Sequence, residues 1–165
     1  MPVLAVEHIR PMRGGAQSHL MRAADGNYYV VKFVNNPQHR RVLANEWLAA
    51  RLARGLGLPV PPAALIEVPQ ELIEGSPGLM LRIAGQLIPC ASGIQFGSRL
   101  PCADPTTPIY DYLPEPGLDR IGNLAEFAGM LAFDKWTCNC NGRQVVFCRP
   151  TPRKKLTVYM VDQGF

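Results

Sequence analysis

Hydrophobic and polar positions change period along the chain, and each change marks an element. Val3 to Arg10 reads as a first strand and Leu20 to Arg22 as a second, with Arg13-Gly14-Gly15-Ala16-Gln17-Ser18-His19 between them. Ala24-Asp25-Gly26-Asn27 is an Asp-Gly turn, and Tyr28 to Phe33 is a β-branched and aromatic third strand. Asn35-Asn36-Pro37 ends it. A helix is expected from about Gln38 to Arg54, because Val42, Leu43, Trp47, Ala50 and Leu56 recur at amphipathic spacing, with Gly55 and Gly57 as its stop. Glu46 falls beside that stripe.

Leu58 to Pro62 is a stiff proline link, followed by a strand at Ala63 to Val68 and a short helix or loop at Glu71 to Ser76. Further strands are expected at Leu79 to Ile83 and Ile94 to Leu100, and Pro101 to Pro108 reads as loop. Tyr110-Asp111-Tyr112-Leu113-Pro114 is an aromatic connector and the expected lobe boundary. Asn123 stands where it could cap a second helix, Leu124 to Phe133, with Glu126 at the capping-box position. Gln144 to Cys148 and Leu156 to Val161 then read as a hairpin, and Asp162 leaves its second strand. No internal repeat or low-complexity tract is evident.

Composition narrows the class. The 165 residues are 47% hydrophobic and 18% charged, enough to bury a core and too apolar for disorder. A net charge of +4 suits a phosphate-bearing ligand but falls short of a nucleic-acid footprint. The basic run Arg149 to Lys155 is broken by prolines and reads as a solvated loop. No signal peptide is indicated, and the longest uncharged stretch, Ile83 to Ser98, is too short to span a bilayer. Five cysteines, Cys90, Cys102, Cys138, Cys140 and Cys148, lack C-x-x-C spacing, so reduced thiols and a cytoplasmic location are expected. Cys138, Cys140 and Cys148 have no fourth ligand nearby to complete a soft metal site.

The candidate chemistry begins at Asp134. An Asp, an Asn five residues on, and an Asp-x-Gly after a strand is the spacing of a phosphoryl-transfer centre. Asp134 could accept the proton of an attacking hydroxyl. Asn139 and Asp162 could hold magnesium, which takes hard oxygen ligands and few carboxylates. Upstream, Gly14 and Gly15 would let backbone N–H groups of Gly14 to Ser18 approach a phosphate, and Lys32 could reach it from its strand. Glu46 wants a cation, for which Lys32 competes with Arg40, Arg41 and Arg51 on the helix itself. Each signal has a plain alternative: a glycine hairpin, a solvent lysine, an Asn-Gly turn at Asn141-Gly142. Their order is what distinguishes them.

That order resembles the HipA-like kinases, atypical kinases distantly similar to protein kinases and phosphatidylinositol kinases. The stretches that carry the resemblance are Arg13 to Ser18, Tyr29-Val30-Val31-Lys32-Phe33, Leu43-Ala44-Asn45-Glu46, Gly57 to Pro61, Phe96-Gly97-Ser98-Arg99, Phe133 to Arg143 and Val161 to Phe165. The resemblance implies an α+β, protein-kinase-like bilobal fold. Its N-terminal lobe, residues 1–112, would be an antiparallel sheet plus one helix, and residues 113–165 would be a partial C-terminal catalytic lobe. It implies that Lys32 contacts ATP phosphates, Glu46 orients Lys32, Asp134 is the base, and Asn139 with Asp162 holds Mg2+, Asn141 being a rival for Asn139. The His-Arg that precedes the catalytic Asp of protein kinases is Ala132-Phe133 here. Family members look longer beyond Asp-x-Gly, whereas this chain has one residue after it.

Two functional readings follow. One is an ATP- and Mg2+-dependent kinase domain acting on a protein Ser or Thr hydroxyl, with a lipid acceptor as the variant. The other is a catalytically impaired or truncated kinase-like module that binds a nucleotide or a partner protein. Neither nucleic acid nor membrane is an expected partner, and oligomeric state stays open.

Overall fold

The computed structural model describes residues 1–39, 41–102, 104–139, 144–149, 151 and 154–162. Five strands close into a barrel in the order β1 (Val3–Pro11), β2 (His19–Ala23), β3 (Tyr28–Lys32), β7 (Gly93–Arg99), β4 (Ala63–Val68). The expected sheet was antiparallel throughout. The barrel instead closes through a parallel pairing of β1 with β4, Val3 opposite Ile66 and Leu4 opposite Glu67. Closure removes the open edges that a flat sheet would expose. Where β4 crosses β7, a Cβ on Gly97 would stand 2.4 Å from Ile66 Cγ1, so only glycine lets these strands approach.

Two hydrophobic clusters organise the chain. The first fills the barrel with Ala5, Met21, Val31, Phe33, Ile66 and Val68, and takes in Ile73 of α2 (Gln70–Glu74) and Leu81 of β5 (Met80–Ile83). The hairpin partner of β5, β6 (Gln86–Pro89), was not foreseen; its four residues carry mixed polarity and two are turn formers or polar. The second cluster joins Ala49, Ala53 and Val60 to Ile121, Met130, Phe133, Phe147, Val158 and Met160.

Helix α1 (Arg41–Gly55) is where the hydrophobic pattern misled. Its buried face is Glu46, Ala49, Ala50 and Ala53, while Leu56 at its end is exposed. Small side chains on that face allow close approach, and the long apolar residues lie to its flanks. The start also differs: Asn36 Oδ1 accepts from the backbone N–H of Gln38 and His39, holding these residues in a turn. The glycine stop holds. Gly57 has φ +75°, its N–H bonds Arg54 O, and Leu58 N–H bonds Ala53 O, the double closure of a Schellman motif.

Helix α3 (Glu126–Trp136) lacks the expected cap. Asn123 turns its side chain onto β9 (Thr157–Val161) instead, accepting from Val158 N–H and donating to Val158 O. A pair of backbone-like hydrogen bonds to a strand outcompetes a single capping bond. A short 3-10 helix, Glu115–Arg120, precedes this region. β9 pairs with β8 (Gln144–Cys148), giving the expected antiparallel hairpin. That hairpin is tied down by Tyr110 on Phe147, by Arg120 O on Leu156 N–H, and by Pro59 O on Met160 N–H.

His19 is 1% exposed, with Nδ1 3.0 Å from His8 Nε2. Burial, and secondarily the neighbouring His8, push its pKa down to about 4. The unfolded imidazole binds its proton near pH 6.5, so between about 6.5 and 4 the unfolded chain holds more protons and acid favours unfolding. From His19 alone, stability falls by about 2 kcal/mol between pH 7 and pH 5. Denaturant melts at both pH values should show that loss, and His19→Gln should remove most of it.

Candidate nucleotide and phosphoryl-transfer site

Lys32 ends β3 opposite Phe96 of β7 and is 7% exposed. Its ammonium bonds Glu46 of α1 and lies 2.5 Å from Asp162 Oδ1, which follows β9. Three elements far apart in sequence therefore meet on one cation. Glu46 sits on the buried face of α1, and among the described residues its ion pair runs to Lys32 rather than to Arg41 or Arg51; Arg40 lies outside the described residues. Asp162 has φ +54°, a left-handed conformation that non-glycine residues rarely adopt. The Lys32 contact holds it there.

Electrostatics agree with an ionised lysine. Burial works to lower the Lys32 pKa, but Glu46 and then Asp162 outweigh it and the net shift is upward. Burial pushes the Glu46 carboxyl up, more than Lys32 draws it down. Burial also works upward on Asp162, but hydrogen bonding from Glu46 and the charge of Lys32 hold it below the usual carboxylate range. Asp162 keeps its charge while Glu46 is the easier of the two to protonate.

Asp134 lies half-buried in the last turn of α3, and Asn139 folds back onto it. Asn139 Nδ2 donates to Asp134 Oδ1 at 3.0 Å, and Asn139 N–H bonds Asp134 O at 2.9 Å. Cys138, at φ +54°, makes the reversal, and Thr137 closes the helix with its hydroxyl on Phe133 O. The five-residue spacing is thus a closed helix terminus. Phe133 and Met160 pack in one core, which holds the ends of α3 and β9 to a common base. Asn141 and the Gln163-Gly164-Phe165 end lie outside the described residues.

The glycine loop is compact. Met12 N–H bonds Ser18 O and Gln17 N–H bonds Gly14 O; Gly14 has φ +126° and Gln17 φ +49°. Ala16 and Ser18 are buried, and Gly14 and Gly15 are exposed. His19 opposite Val31 puts the loop next to the strand end that bears Lys32. Gln17 spends its side chain on Arg82 of β5. The sequence reading also missed Gln144 at the first position of β8, which acts to lower the Asp162 pKa. Its signal was the hairpin register, which sets Gln144 opposite Val161.

The donor set suits magnesium: an ionised, half-exposed carboxylate at Asp162 and an amide oxygen at Asn139, both hard ligands. Among the described residues no group of three or more His, Cys, Asp or Glu gathers as a metal site, a cluster that a one-carboxylate magnesium site does not need.

The family model for HipA-like kinases matches residues 5–144. The chain belongs to the HipA-like kinase family. This is a family of phosphotransferases, and the match takes in the glycine loop, Lys32, Glu46, Asp134 and Asn139, ending before Asp162. No curated protein and no solved structure matches the chain. Among the described residues of this HipA-like kinase, no helix is long and apolar enough to cross a membrane.

Removing the lysine would leave Glu46 buried without its cation. Lys32→Met should destabilise the fold by about 3 kcal/mol at pH 7. Part of the difference from wild type should return as the pH is lowered, because burial pushes the Glu46 carboxyl up and its protonation removes the unpaired charge. Urea melts of both proteins at pH 7 and at lower pH check the size and the recovery.

Proposed function

We propose that this HipA-like kinase binds ATP with Mg2+ and transfers the γ-phosphoryl group to a Ser or Thr hydroxyl of a protein. The observation that carries the reading is the buried Lys32 ammonium held between Glu46 and Asp162. A structural ion pair needs one carboxylate. A lysine with a second, half-exposed carboxylate beside a glycine loop is poised to exchange partners when phosphates arrive.

In this reading Lys32 moves its hydrogen bonds from Asp162 to phosphate oxygens, and Glu46 keeps its ammonium aimed. Backbone N–H groups of the loop from Gly14 to Ser18 cover the phosphates. Asp162 and Asn139 hold Mg2+, which when bound offsets negative charge on the phosphate oxygens. Asp134 receives the proton of the acceptor hydroxyl as its oxygen bonds the γ-phosphorus and the bond to the ADP oxygen breaks. Asn139 on Asp134 Oδ1 orients that carboxylate. Residues 1–112 and 113–165 act as two lobes, with the site between them.

Thermal unfolding with Mg-ATP tests this. Ligand at about a thousand times its dissociation constant should stabilise by roughly 4 kcal/mol. For a chain of this size that is a Tm rise on the order of ten degrees. The rise should need magnesium and vanish in Lys32→Ala and Asp162→Ala, each compared with its own ligand-free melt. Asp134→Ala should keep the rise and lose phosphoryl transfer from γ-labelled ATP by about 100-fold or more. No rise with wild-type protein at saturating Mg-ATP sinks the proposal. A rise without transfer to any hydroxyl favours the second reading, a nucleotide-binding module.

A further inference from the structure

We propose that Gln17 is a positioning residue whose side-chain amide clamps the glycine loop to β5, so that the β5–β6 hairpin sets the shape of the phosphate cradle. This rests on the nucleotide-binding reading above. Gln17 Nε2 donates to Arg82 O at 2.8 Å, and Gln17 Oε1 accepts from Arg82 N–H at 2.7 Å. The amide therefore fills both backbone positions of one residue, as a neighbouring strand would.

Two residues on, the buried ring of His19 faces His8, its Nδ1 3.0 Å from His8 Nε2. The hairpin side is firm: Arg82 pairs with Leu87, Leu81 is fully buried, and Cys90 N–H closes the base on Leu79 O.

The loop needs such a hold. Gln17 is left-handed at φ +49°, and its own N–H is already spent on Gly14. Without the clamp this residue would relax to an ordinary conformation and carry the neighbouring N–H groups with it. The Gln17 side chain thus acts through the loop and has no contact with phosphate assigned to it.

The test uses the full chain with Gln17→Ala and Gln17→Met, the second keeping side-chain length without hydrogen bonds. Backbone hydrogen exchange is read by mass spectrometry, and Mg-ATP affinity by titration. Both variants should exchange faster in residues 12–18 and near Arg82, with Tm close to wild type. Kd for Mg-ATP should rise about tenfold in both, as for two hydrogen bonds of ordinary net strength. In turnover the rise in KM for ATP should exceed any fall in kcat. Unchanged exchange, an unchanged Kd in both variants, or wild-type affinity in Gln17→Met alone would overturn the clamp. Wild-type protein that does not bind Mg-ATP overturns the nucleotide reading and this proposal with it.

Discussion

An ammonium group buried in a protein survives only with anions close by, because desolvating it costs several kcal/mol that Coulomb attraction must offset. Lys32 meets that condition with carboxylates from two other elements, and the rest of the architecture serves to bring them there. The barrel presents Lys32 at the end of β3. The alanine face of α1 lets Glu46 come in close. The proline link carries Pro59 to Met160, and that hydrogen bond fixes the end of β9 from which Asp162 emerges. Loss of any one of these supports would expose or unpair a buried charge.

The same arrangement explains why one carboxylate is set apart from the other. Glu46 is enclosed and Asp162 is half-exposed, so Asp162 is the carboxylate that solvent reaches. A pair built for stability alone would enclose both partners. Gln144, at the surface of β8, also acts to lower the pKa of the exposed carboxylate, and the left-handed backbone of Asp162 points to an orientation imposed by its surroundings. Strain of this kind, on the order of 1–3 kcal/mol, persists where neighbouring structure over-determines it.

The glycine loop is stiffer than its composition implies. Two adjacent glycines read as a permissive turn, yet the segment after them is tied to a hairpin some sixty residues later. Preorganised backbone donors lose less entropy when they meet an anion than mobile ones do. Of the β5–β6 hairpin only the β5 strand was expected, and it is β5 that carries the tie to Gln17.

Local pattern determined much of this on its own. The strands at Tyr28 and Ala63, the Asp-Gly turn, the Schellman stop at Gly57 and the β8–β9 hairpin are set by nearest neighbours, so their residues announce them. The order of chemistry-bearing residues and the family resemblance were likewise legible, since side-chain type and spacing are properties of the chain. What tertiary structure alone decided is which partner each polar group takes. Glu46 could have paired along its own helix, and Asn123 could have capped the next one; Lys32 and Val158 claimed them because packing brought stronger or paired hydrogen bonds within reach. The parallel closure of β1 on β4, the alanine face of α1 and the Gln17–Arg82 clamp join residues dozens of positions apart, and no local period records a contact between segments that meet only once the barrel has closed.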